Sequence, residues 1–151
     1  MIARQEAEAF LGRLDSLLTD AANPAAACVQ AMANAFPHYQ WIGIYWLHGD
    51  TLILGPFVGA ATEHDRIPVG RGVCGTAVAE GKNQVVVDVR SLKNYLACSV
   101  ETRSEIVVLL RRVGQIVGQI DADGHEVGAF DASDEALLSR VAQRLMAQIA
   151  S

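Results

Sequence analysis

Apolar positions recur every three or four residues at both ends of the chain, and a shorter period takes over between them. Near the start, Ala7, Phe10, Leu11, Leu14, Leu17 and Leu18 fall on one stripe, which predicts an amphipathic helix. The stretch "DAANPAA" breaks it. Asn23 is placed to cap a second helix, and Pro24 suits that helix's first position. There Ala25, Cys28, Val29, Met32, Ala33 and Phe36 share a face, so Cys28 reads as an inert core thiol. At the far end Leu137, Leu138, Val141, Leu145, Met146 and Ile149 make a third stripe, with Asp131 or Ser133 as its cap.

Between these helices the residues are β-branched and aromatic. "QWIGIYWLHGDTLILGPFVG" predicts a hairpin turning at His48-Gly49-Asp50. "RIPVGRG" offers a short strand and a glycine turn, "VCGTAVAEGK" a short helix stopped by Gly81, and "NQVVVDV" a strand. Residues 90–103 lack a clear period and read as a loop with a turn or two of helix. "SEIVVLLRR" and "GQIVGQIDAD" flank Val113-Gly114 and form a second hairpin. Strands joined by tight turns are antiparallel. The fold class is therefore α+β, with the terminal helices on one face of a sheet and the other face open to a pocket.

Composition narrows the function classes. The 151 residues suit one domain, 1–151, and no internal repeat divides them. A net charge of −5 argues against nucleic acid as a partner, since phosphate binding needs a basic face. No apolar run approaches the ~20 residues of a membrane span. The N-terminus lacks a signal pattern, and a cytoplasmic location is expected. Three cysteines without a Cys-x-x-Cys pair argue against a disulfide scaffold and against structural zinc. No metal or cofactor is expected, and any cysteine pairing should be transient and redox-linked.

Two cysteines and three acids are left to carry chemistry. Cys74 falls in the first turn of its predicted helix, where unpaired amide hydrogens and the helix dipole favour a thiolate. The flanking glycines allow close approach of a ligand, or simply tight helix–sheet packing. Cys98 sits in a polar loop, either as a nucleophile or as an exposed accident. In "QIVGQIDADG" alternation sends Ile116, Ile120 and Ala122 toward the helices, and Val117, Gln119, Asp121 and Asp123 to the opposite face. Counting across Val113-Gly114 brings Glu105 roughly opposite Asp121 to Asp123. Three enclosed acids repel unless they hold a cation or share protons. The histidines at 38, 48, 64 and 125 show no ligand spacing and read as surface or turn residues; a Cys98 pairing with His64 or His125 stays open.

In order, "WIGIYWLHGDTLILGPFVG", "RIPVGRGVCGTAVAEGKNQVVVDV", "YLAC", "SEIVV" and "GQIVGQIDAD" resemble the free methionine-(R)-sulfoxide reductases, which are single GAF domains. The likeness runs from about Trp41 to Phe130, and "RIPVGRGVCGTA" is its most specific motif. It implies a six-stranded antiparallel sheet with the N- and C-terminal helices on one face. It also implies reduction of the R form of free methionine sulfoxide, part of the defence against oxidative stress. In that chemistry a cysteine thiolate becomes a sulfenic acid and then a disulfide, and thioredoxin or another thiol reductant restores it. A homodimer is implied as well. Carried across residue by residue, Cys98 matches the nucleophile and Cys74 the cysteine of "GVCGT". Glu105, Asp121 and Asp123 match the substrate-binding acids, which also supply the proton that a sulfoxide oxygen needs to leave. Trp41 and Tyr45 match an aromatic wall beside the substrate sulfur and methyl. Some residues depart from the pattern. Where the family carries a cysteine shortly before "RIP", this chain has "ATEHDRIP", with His64 at about that place. Leu109 follows "SEIVV" in place of proline. With that cysteine missing, Cys74 or an external thiol would resolve the sulfenic acid. The competing reading is a GAF domain that binds a small ligand or senses redox state through Cys98 and Cys74. A binding module needs no nucleophile, which favours the reductase.

Overall fold

The protein is represented by a computed structural model, described for residues 1–93, 95 and 101–149. Its elements are α1 (Arg4–Asp20), α2 (Pro24–Ala35), β1 (Trp41–His48), β2 (Thr51–Val58), β3 (Arg66–Pro68), α3 (Gly72–Glu80), β4 (Gln84–Val86), a 3-10 turn (Val89–Ser91), β5 (Ser104–Arg112), β6 (Gln115–Gly124) and α4 (Ala132–Ile149). The strands form one six-stranded antiparallel sheet in the order β3-β2-β1-β6-β5-β4. No helix among the described residues is long and apolar enough to cross a membrane.

Local chemistry starts the helices where the sequence indicates. The Asn23 side chain accepts the Ala26 N–H at 3.1 Å, and Pro24 fills the first position of α2. For α4, Asp131 is the cap: its Oδ1 accepts the Ser133 N–H at 2.9 Å, while Asp134 Oδ2 accepts the Asp131 N–H at 3.0 Å. Asp134 does more than cap. It is buried, accepts a 2.8 Å bond from the Tyr39 hydroxyl, and lies 2.7 Å from His38 Nε2 in the turn before β1. Its Oδ1 thus ties α4 to the segment between α2 and the sheet, while Oδ2 serves the cap.

Alternation along the strands divides the interior into two layers. Ile42 and Ile44 of β1, Ile106, Val108 and Leu110 of β5, and Ile120 and Ala122 of β6 pack against α1, α2 and α4. Cys28 lies in this layer with no exposure, and burial pushes its thiol up to about 12, as an inert core residue requires. The opposite layer holds Trp41, Tyr45, Val107 and Leu109 under Val73, Cys74 and Ala77 of α3. One detail reverses the sequence reading. Val117 packs with the three-helix layer and Ile116 with the α3 layer. Opposite them the register breaks between Leu110, which faces Gly118, and Arg111, which faces Ile116. The extra residue on β6 flips every side chain beyond it, toward the turn. From Gln119 to Asp123 the alternation stands as the sequence suggests.

Candidate functional site

The acids meet because three neighbouring strands share a register. Glu105 faces Asp123 and Val107 faces Asp121 across β5 and β6, while Trp41 faces Asp123 and Tyr45 faces Gln119 across β1 and β6. These side chains rise on the α3 side of the sheet. Helix α3 is set down on them through its own backbone. A Cβ at Gly75 would lie 2.5 Å from the Pro68 carbonyl oxygen and 2.9 Å from the Gly70 nitrogen. Only glycine therefore lets the helix sit this close, and Cys74 is the residue before it. The helix begins at Gly72 without a side-chain cap, and Cys74 stands in its first turn.

Glu105, Asp121, Asp123, Gln119 and Cys74 are each no more than 4% exposed. The Cys74 thiol donates to Glu105 Oε2 at 3.7 Å. That sulfur, one oxygen of Glu105 and one of Asp121 all lie within 4.8 Å of one another. Burial holds the Glu105 carboxyl well above the usual carboxylate range, and the charges of Asp121 and Asp123 push it the same way. Asp121 is also raised by burial, although hydrogen bonds to Glu105 and Cys74 pull it back. The trio therefore keeps a proton on Glu105 where an exposed glutamate is ionised, and it supplies an acid beside a thiol. Cys74, Glu105 and Asp121 also converge as metal ligands do among the described residues; Cys74 and Glu105 would have to give up a proton to serve as such.

The aromatic side of the site is stitched to the segment before β3. The Trp41 indole Nε1–H donates to the Ala60 carbonyl at 3.0 Å, and the Tyr45 hydroxyl donates to the His64 carbonyl at 2.8 Å. The indole lies over Gly43, where a Cβ would come within 2.7 Å of its ring, and is stacked on Phe57 at 5.6 Å. The Tyr45 ring is 6.4 Å from it, completing a wall beside the acids. Tyr95 packs onto the same layer from the segment after the 3-10 turn. A cavity of about 260 Å³, lined by Val73, Thr76, Gln84, Val86 and Lys93 among others, opens at the edge of the site. It adjoins the acids, since Val73 precedes Cys74 and Val86 faces Glu105.

Of the residues named from sequence, the structure thus brings together Cys74, Glu105, Asp121, Asp123, Trp41 and Tyr45. Cys98 lies outside the described residues. His64 enters through its backbone carbonyl, and His125 sits with Nδ1 3.5 Å from the Glu101 carboxylate. Sequence reasoning placed Gln119 on the right face and gave it no task. In the structure its amide Nε2 donates to the Cys74 carbonyl at 3.3 Å, linking sheet and helix. The available signal was a lone amide in an otherwise apolar or acidic row.

Comparison with known proteins yields one family. The family model of the GAF domain matches residues 24–149. The free methionine-R-sulfoxide reductase of Escherichia coli (strain K12) is 40% identical over 130 residues, covering 86% of this chain and 76% of that protein. The X-ray structure of free methionine-R-sulfoxide reductase from Neisseria meningitidis in complex with its substrate superposes with a TM-score of 0.91 at 33% identity, covering 99% of this chain and 93% of that one. The type II free methionine-R-sulfoxide reductase from Thermoplasma acidophilum superposes with a TM-score of 0.80 at 36% identity, covering 89% of this chain and 94% of that one.

Proposed function

This chain belongs to the GAF-domain family of free methionine-R-sulfoxide reductases, and from that premise we propose that it reduces free L-methionine-(R)-sulfoxide to methionine. The observation that carries the reading is the buried trio Glu105, Asp121 and Asp123, set between the Cys74 thiol and the Trp41–Tyr45 wall. An enclosed acid cluster offers the two things this substrate asks for, a proton for the sulfoxide oxygen and negative charge for the ammonium.

In the proposed reaction the protonated Glu105 hydrogen-bonds the sulfoxide oxygen while the Cys98 thiolate attacks the sulfur. Glu105 gives its proton to the oxygen, and the oxygen passes to the Cys98 sulfur as the substrate S–O bond and the transient S–S bond break. Methionine leaves two electrons richer, and Cys98 is left as a sulfenic acid. The Cys74 thiol then attacks the Cys98 sulfur, a disulfide forms, and the oxygen departs as water. Thioredoxin or another dithiol returns two electrons and two protons and restores both thiols. Asp121 and Asp123 anchor the ammonium, and Trp41 and Tyr45 flank the methyl and sulfur. The working form is a homodimer in this reading.

The test is NADPH consumption with thioredoxin, thioredoxin reductase and each sulfoxide epimer in turn. Oxidation is expected with the R epimer of the free amino acid and not with the S epimer. An equal response to both, or none to either, sinks the proposal. A domain that only binds a ligand or senses redox state would give the second result.

A further inference from the structure

Gln119 has half of its hydrogen-bonding capacity committed and half open. The Cys74 carbonyl can only accept, so the amide must turn its NH2 toward it, and the 3.3 Å bond fixes the orientation of the group. The carbonyl end, Oε1, then points away from Cys74. It is fully buried and has no hydrogen-bond partner among the described residues. A buried carbonyl without a donor is costly to leave unpaired. Gln119 shares its face with Asp121 and Asp123, and its cross-strand neighbours are Tyr45 on one side and Leu109 on the other. Gln119 therefore lies in the layer between α3 and the sheet, at the Tyr45 end of the row, two positions along β6 from Asp121. No described side chain donates to its Oε1, so the open oxygen is free to take a donor from whatever enters.

We propose that Gln119 is a specificity residue whose Oε1 accepts an N–H of the substrate's α-ammonium group. The inference rests on the reductase reading for the identity of that substrate. The ammonium brings three donors, and the acids take charge-assisted bonds from it. The amide takes one more and fixes its direction, because the group is held at its other end by the helix that carries Cys74. An amino acid locked into a peptide has no ammonium to offer, nor does a methionine analogue stripped of its amino group. For either one the open carbonyl stays buried and unpaired. Discrimination of this kind arises when a site built to hydrogen-bond a group meets a ligand that lacks it.

Binding, not turnover, tests the idea. L-Methionine and 4-(methylthio)butanoate, the same molecule without its amino group, are titrated calorimetrically into the wild type and into Gln119→Met, a near-isostere without the amide. The wild type should bind methionine more tightly, and in the variant that preference should shrink at least tenfold while affinity for the des-amino acid stays within about threefold. A merely structural role would weaken both ligands together. A preference unchanged within twofold overturns the inference. If Gln119→Met fails to fold, Gln119→Asn, which withdraws the amide by one methylene, is read by the same ratio. A wild type that binds no methionine overturns the substrate reading itself, and this inference with it, so the two failures are distinguishable.

Discussion

Removing one charge from the acid trio should change how stability depends on pH. The perturbation is Asp121→Asn. One oxygen of Asp121 and one of Glu105 lie within 4.8 Å. At an effective dielectric near 20, two unit charges at that distance repel by about 3.5 kcal/mol. The wild type avoids this by keeping a proton on Glu105, whose carboxyl is raised by burial and then by Asp121 and Asp123. The unfolded chain releases that proton above the ordinary glutamate range, so between there and the folded value the native state binds more protons than the unfolded one. Stability is then full at low pH and falls as pH rises, by about 1.4 kcal/mol per pH unit for each proton held. From pH 5.5 to 7.5 one proton is worth up to about 2.7 kcal/mol, a drop of roughly 1 M in the urea midpoint. In Asp121→Asn that repulsion is gone and Glu105 moves part of the way back, since burial and Asp123 still raise it. The slope should be shallower than that of the wild type, and the variant should equal or exceed it in stability at pH 7.5. Turnover should drop at least tenfold, because the donor's proton is held less firmly and the proposed ammonium anchor loses a charge. Urea melts at a series of pH values, on wild type and variant together, cancel contributions from surface groups. Parallel midpoint curves would refute the reasoning.

The other expectations address the cysteines, the anchor and the scaffold. Cys98→Ser should abolish reduction with any reductant. Cys74→Ser should release one methionine per subunit in a single turnover, stall with thioredoxin, and continue with a small dithiol that attacks the sulfenic acid directly; unchanged thioredoxin-driven cycling would make Cys74 a packing residue only. Asp123→Asn should fold without a large drop in melting temperature and lose most turnover, and an unchanged rate would remove it from the mechanism. Val113 is a β-branched residue at φ 50 followed by Gly114 at φ 78, and it is 97% exposed, so replacing it loses no packing. Asn-Gly is the favoured pair for such a turn, and Val113→Asn should stabilise by about 1 kcal/mol, raising the melting temperature by about 2–4 °C without altering activity.

The features legible in the sequence were those set by near neighbours. Helical stripes, the Asn23 cap and the Val113-Gly114 turn each depend on a few consecutive residues. The turn then carried information further, because once it is placed the antiparallel register follows. That is how Glu105 could be counted to its position opposite Asp123. The bulge escaped because either phase of "QIVG" buries one isoleucine or one valine, and periodicity cannot choose between them. The Asp134 bonds to Tyr39 and His38 span 95 and 96 residues, and the Gln119 bond to Cys74 spans 45, so no local pattern announces them. The tie between Tyr45 and residue 64 was hidden for another reason. It uses a backbone carbonyl, which any side chain at 64 would provide. The scaffold thus accepts histidine there, and only chemistry would notice the change.

The seat of α3 decides where this site can be remodelled. A helix held by a backbone contact at Gly75 offers an engineer no slack; enlarging any residue there pushes against Pro68 and Gly70 rather than against a movable side chain. The opposite wall is different. Trp41 is buried, but the ring stacked behind it belongs to Phe57, which is 38% exposed at the surface. Trimming Phe57 would give the indole room to tilt outward without touching an acid, a cysteine or the sheet register. A library meant to admit bulkier sulfoxides should therefore begin on the outside of the protein, one layer behind the indole proposed to flank the substrate.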